Sequence, residues 1–117
     1  MPSKVSILVI GVTDLSKSID FYQQTLGLPV TSRQENIATI STGSISLLLS
    51  EAVGKAIKPG NGSMEIVFPV ESVSAAHRLL GEKGCKFIAS PAQISSDSWR
   101  AILTDPDGHM LTVFGGK

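Results

Sequence analysis

The chain has 117 residues, 42% hydrophobic and 5% aromatic, the size of one domain with enough apolar material for a core. Ten basic and ten acidic residues cancel and neither sign forms a run, which leaves no electrostatic footprint for nucleic acid or an anionic membrane. The single cysteine, Cys85, has no partner for an internal disulfide and cannot hold a metal alone, so a reducing, cytoplasmic setting is expected.

Residues 5–12 form a near-continuous apolar run and are read as a strand buried on both faces. The run is too short to span a bilayer, and no small-residue cleavage site follows it. Asp14 is placed to cap a helix whose apolar stripe is Leu15, Ile19, Tyr22 and Leu26, joined by Ser18 and Phe21. Gly27 stops that helix. Three strands are predicted next, over 28–33, 37–41 and 45–50, with Gly43 in the last turn.

Residues 51–63 hold Gly54, Pro59, Gly60, Asn61 and Gly62 without periodicity, and are read as a connection between modules (about 1–51 and 64–117, linker 52–63) within one domain. The first pattern then returns. A strand is predicted over 64–70, followed by a helix with the stripe Val73, Ala76, Leu79 and Leu80, and a stop at Gly84. Strands follow over 86–89, 99–104 and 109–114, with a polar loop around 95–98.

The last two strands flank Asp105-Pro106-Asp107-Gly108, where Pro106 presets φ, the Asp side chains can bond backbone N–H groups, and Gly108 accepts the left-handed conformation. Ala101 and Leu103 precede the turn. After it, Met110, Thr112 and Phe114 share one face, and Leu111 and Val113 the other. With both faces largely apolar, one is expected under helices and the other against a cavity or partner.

The two halves superimpose as a repeat. An offset of 58 lays Val12, Leu15, Ser18, Phe21 and Tyr22 on Val70, Val73, Ala76, Leu79 and Leu80. An offset of 57 lays Gly27 on Gly84, and one of 65 lays Gly43, Ile45 and Leu49 on Gly108, Met110 and Phe114. The expected fold class is therefore α+β: two βαβββ modules whose curved mixed sheets pair around a cleft.

Val12-Thr-Asp-Leu-Ser-Lys-Ser18, followed by Phe21-Tyr22 and Leu26-Gly27-Leu28, resembles the opening of the vicinal oxygen chelate superfamily, the glyoxalase, bleomycin-resistance and extradiol dioxygenase proteins. Asp105-Pro106-Asp107-Gly108 with its flanking strands resembles that family's closing signature. The resemblance covers nearly the whole chain and implies a homodimer, with modules paired within a chain or exchanged between two.

In metal-using members, four inward His, Glu or Gln side chains hold one divalent ion. Carried over residue by residue, those positions are Ile7, Leu47, Glu65 and Thr112. Isoleucine and leucine have no lone pair to give, so no metal and no cofactor is expected. His77 is read as lying beside the helix stripe, His109 as a rim residue, Cys85 as a small buried hydrophobe and Tyr22 as packing. A register slip would bring in Ser6, Ser46 or Leu111, and Glu51 is the one nearby carboxylate.

Glu65 stands between Met64 and Ile66, facing a cleft that Ile7, Val9, Leu47, Met110 and Phe114 would line. Desolvation there is expected to favour its protonated form, which suits a general base or the counter-charge of a cationic ligand; the alternatives are contact with water at the cleft mouth or pairing with Arg100. Thr112 is positioned to bond Glu65 across the pseudo-two-fold. Trp99 and Arg100 are read as a clamp at the rim, against strand packing for Trp99 and solvation for Arg100.

Four functions remain open on this reading. The first is a metal-free binder of a neutral or weakly cationic organic molecule, the expected partner. The second is an enzyme with Glu65 as base, the one catalytic candidate, which would also need an oxyanion stabiliser within reach. The third is a metalloenzyme whose ligands stand in another register. The fourth is an interaction module that leaves its cleft empty.

Overall fold

A computed structural model of the chain describes residues 6–56 and 64–117. The chain divides into two compact units, Met1–Pro59 and Gly60–Lys117. The boundary falls inside the expected linker, of which residues 57–63 lie outside the described residues, as does residue 5 of the first expected strand.

In the first unit Asp14 caps a helix as expected: its Oδ1 accepts from the Lys17 N–H at 3.1 Å. A second carboxylate also serves this end, because Glu51 Oε2 accepts from the Leu15 N–H at 2.8 Å. The helix α1, Leu15–Ile19, runs on as a π-helical stretch, Asp20–Thr25. Tyr22, fully buried there, packs edge-on against Phe21 at 5.2 Å between ring centres. Gly27, at φ 76°, ends the helix.

Around α1 stand β1 (Ile7–Gly11), β2 (Val30–Arg33), β3 (Ile37–Ser41) and β4 (Ser46–Ser50). They form one sheet in the order β1-β4-β3-β2, with β1 parallel to β4 and the other pairs antiparallel. Ile10, Ala38, Ile40, Leu47 and Leu49 are buried and, by the pairing of Ala38 with Leu49 and Ile40 with Leu47, share one face. Burying a side chain of this size contributes roughly 1.5–3 kcal/mol.

Residues 51–56, expected as part of the linker, are instead the helix α2 (Glu51–Ala56). Its signal was hidden by Gly54, which reads as a breaker in sequence and serves here as a point of close approach. A Cβ on Gly54 would run into the carbonyl oxygen of Val12, and one on Gly11 would meet the Gly54 Cα at 2.9 Å. Only glycine lets these two backbones lie so close.

The second unit repeats the order with β5 (Glu65–Ser72), α3 (Val73–Glu82), β6 (Lys86–Gln93), β7 (Trp99–Thr104) and β8 (Met110–Gly116). Its sheet runs β5-β8-β7-β6, with the β5/β8 pair parallel and the rest antiparallel. The expected α+β class, with two mixed four-stranded sheets, is therefore the observed one. Ser72 Oγ caps α3 by accepting from the Ala75 N–H at 3.1 Å.

The stripe of α3 differs from expectation at two positions: Leu79 leaves it, and His77, read as lying beside it, joins it. Leu79 is 56% exposed, while Val73 is buried and His77 packs its ring on Phe87 at 4.5 Å. Counted from Val73, the facing positions of a helix are three, four and seven residues on, which selects Ala76, His77 and Leu80 and turns Leu79 outward.

Candidate functional site

Alternation along β5, β7 and β8 divides the second sheet into two faces. Ala101, Leu103, Leu111 and Val113 are buried on one, the face of Phe87, against which His77 of α3 packs. The helix-covered face expected from the sequence is thus present. The other carries Glu65 and Val67 on β5, Met110, Thr112 and Phe114 on β8, and Arg100 and Ile102 on β7. The pairs Glu65–Met110, Val67–Thr112, Ile102–Thr112 and Arg100–Phe114 fix this set.

Thr112 and Ile102 form the buried floor of this face, whereas Val67 and Phe114 remain 49% and 38% exposed. Thr112 Oγ1 donates to Glu65 Oε2 at 2.7 Å. The expected bond exists, but it runs between neighbouring strands of one sheet rather than across the repeat axis. Glu65 itself is exposed, so the desolvated setting expected for it is not observed. No ion pair joins it to Arg100 among the described residues.

Three other expected contributors are placed differently. Leu47 lies fully buried on the covered face of the first sheet, opposite Leu8 and Ile40. The residue sharing a face with Ile7 and Val9 is Leu48, paired with Val9 and Thr39. Ile7 and Val9 are 52% and 46% exposed, so that face is open and β1 is not buried on both faces as its near-continuous apolar run suggested. Trp99 and Arg100 are successive strand residues and point to opposite faces: Trp99 pairs with Gly115 and lies under the Lys117 ammonium at 5.3 Å, away from the Arg100 side. They cannot close on one ligand as a pair.

The slip at Leu47 has a local cause. The β3–β4 turn closes with Thr42 N–H donating to Ile45 C=O, three residues on, and Gly43 stands first in its two-residue loop. The β7–β8 turn closes with Asp105 N–H donating to His109 C=O, four residues on, and Gly108 stands third. Aligning the glycines therefore misaligns the strands by one residue. Asp105, buried to 5% exposure, holds its turn by accepting from Asp107 and His109 N–H groups at 2.9 and 2.8 Å.

The positions that carry a metal in the resembled family now read Ile7 and Leu48 in the first sheet, Glu65 and Thr112 in the second. Two aliphatics, one carboxylate and a hydroxyl already donating to that carboxylate do not fit a transition-metal centre. Among the described residues no group of three or more His, Cys, Asp and Glu side chains could hold an ion. Glu51, the one carboxylate a register slip would recruit, is engaged at the start of α1. Burial pushes the Cys85 thiol up, with the Lys83 charge opposing.

Residues 4–113 match the Glyoxalase/Bleomycin resistance protein/Dioxygenase superfamily. The chain belongs to that superfamily. It is 31% identical over 116 residues to the uncharacterized protein YraH of Bacillus subtilis (strain 168), covering 88% of this chain and 91% of that protein. Among solved structures it resembles TnmS3, an antibiotic binding protein from Streptomyces sp. CB03234 (TM-score 0.81, 21% identity, 99% of this chain and 98% of that one). It also resembles a glyoxalase-related enzyme from Fulvimarina pelagi (TM-score 0.82, 20% identity, 97% and 88%). At these identities the two structures speak for the superfamily's fold alone. Among the described residues no helix is long and apolar enough to cross a membrane.

Sequence reasoning missed Val67, Ile102 and Leu48 as members of the open faces. Val67 was within reach, since it stands two residues from Glu65 and period two puts both on one side. Ile102 stands likewise two residues from Arg100, whereas Leu48 needed the pairing register, which the unequal turns conceal.

Proposed function

We propose that this superfamily member binds a small organic molecule, without a metal, on the uncovered face of its second sheet. The observation that carries the reading is the pairing of Thr112 with Glu65 beside exposed Val67 and Phe114. A carboxylate held by a buried hydroxyl keeps lone pairs free for a ligand donor, and the apolar neighbours give the rest of the molecule a surface to lie on. The antibiotic binding protein among the similar structures supports this reading by analogy of fold.

Glu65 as a catalytic base is the weaker reading, because Glu65 is exposed and the hydroxyl of its neighbour Thr112 already donates to it. A homodimer, which the family resemblance implies, and a cytoplasmic setting, which the lone Cys85 suggests, belong to the proposal.

A thermal-shift screen against drug-like aromatic compounds tests the proposal. A ligand at about 100 times its dissociation constant stabilises the fold by roughly 2.7 kcal/mol. Hits whose shift is lost in Phe114→Ala support the reading. A shift produced by a divalent transition metal alone and abolished by Glu65→Gln overturns it.

A further inference from the structure

The uncovered face of the second sheet carries opposite charges at opposite corners. Glu65 lies opposite Met110, which lies opposite Thr104; Arg100 lies opposite Phe114, four residues further along. Two strand spacings of about 4.8 Å and four residues of about 3.3 Å put the two Cα atoms roughly 16 Å apart. Between them lie the Thr112–Ile102 floor and the Phe114 ring.

Glu65 spends one oxygen on Thr112 and keeps the other. Arg100 is half-buried and has no hydrogen-bond or ion-pair partner among the described residues. The guanidinium of arginine presents a planar fork that matches a carboxylate in two parallel bonds. Among the described residues no side chain pairs with both charges.

We infer that the ligand of this face is a zwitterion: a cationic or strongly donating group at Glu65 and a carboxylate-like anion at Arg100, joined by a flat apolar body. The inference rests on the binding role proposed above and adds the ligand's charge pattern to it. Both side chains stand off the sheet, so the interval between their heads is on the order of the Cα separation, and a rigid two-ring body with a charged group and a hydrogen bond at each end is of that order of length. Charge complementarity of this kind selects partners more than it raises raw affinity, so singly charged or neutral analogues bind and are outcompeted. Lys86, opposite Thr104 on the edge strand β6, is the other cation on this face; it is exposed and a point charge, a poorer match to a carboxylate.

The test is calorimetric titration of the whole chain with four probes sharing one biphenyl body: the para-aminomethyl, para′-carboxylic acid zwitterion; the benzylamine alone; the carboxylic acid alone; and the benzyl alcohol. The ranking on the unaltered chain comes first. The zwitterion is expected to bind about tenfold tighter than either singly charged probe. Glu65→Gln is expected to erase its lead over the acid, Arg100→Met its lead over the amine, and Lys86→Met neither. If all four probes bind alike, the charge pattern is wrong and the binding role stands. If the lead follows Lys86 rather than Arg100, the assignment of the anion site is overturned. If none of the four binds, and the screen above also gives no hit, both the pattern and the role fall.

Discussion

Truncating Leu47 and Leu48 in turn tests the register on which the site assignment rests. Leu47 is fully buried on the covered face, and Leu48 is half-buried on the open one. Leucine-to-alanine changes in cores cost about 2–5 kcal/mol, because the lost transfer energy is joined by an unfilled cavity. Leu47→Ala should cost about 3 kcal/mol. Leu48→Ala leaves no enclosed cavity and loses part of the transfer term alone, about 1 kcal/mol. For 117 residues, at about 2.1 cal/mol/K of unfolding entropy per residue, each kcal/mol moves the melting temperature by roughly 4 °C. Differential scanning calorimetry should therefore show a fall of about 12 °C for Leu47→Ala and about 4 °C for Leu48→Ala. Equal falls, or a larger one for Leu48→Ala, would refute the one-residue correction and return Leu47 to the open face.

The remaining predictions follow from single contacts. Asp105→Ala leaves the Asp107 and His109 N–H groups without their acceptor and should cost about 2 kcal/mol by urea unfolding, while Asp105→Asn, which keeps an oxygen in place, should recover at least half. Gly54→Ala should abolish soluble expression or lower the melting temperature more than Leu47→Ala does, since its Cβ meets the Val12 carbonyl oxygen and backbone cannot step aside. Thiol labelling of Cys85 should be slower at pH 8 than in the urea-unfolded chain, and its rise with pH should be displaced upward because burial favours the neutral thiol. Removing Lys83 should displace it further in the same direction, since that charge favours the thiolate.

The modular repeat was readable because its signals are local. Asp14 ahead of the Leu15 stripe, Gly27 and Gly84 as stops, and the turn at Asp105-Pro106-Asp107-Gly108 each act through neighbours in sequence. β3 and β7 were placed to the residue for the same reason, their alternation being bounded by turn residues. What escaped was set by contacts distant in sequence. α2 exists because Glu51 reaches Leu15 and Gly54 fits against Val12, and neither requirement leaves a periodic trace in six residues. The faces of Leu47 and Trp99 depend on pairing register, where a one-residue error inverts every side chain. Glu65 was found by the offset of 58 from Ile7 and Thr112 by its spacing from Gly108, and both spacings lie within stretches that the unequal turns do not shift.

The central claim is that the uncovered face of β5, β8 and β7 holds an organic ligand by contact and charge rather than through a metal. An amide-resolved NMR titration of the metal-depleted chain with the biphenyl zwitterion tests it most directly. The account predicts saturable shifts concentrated at Glu65, Val67, Arg100, Thr112 and Phe114, unchanged when chelator is present. Shifts that appear only after a divalent metal is restored, or that fall on the α3 side of the sheet, would contradict it.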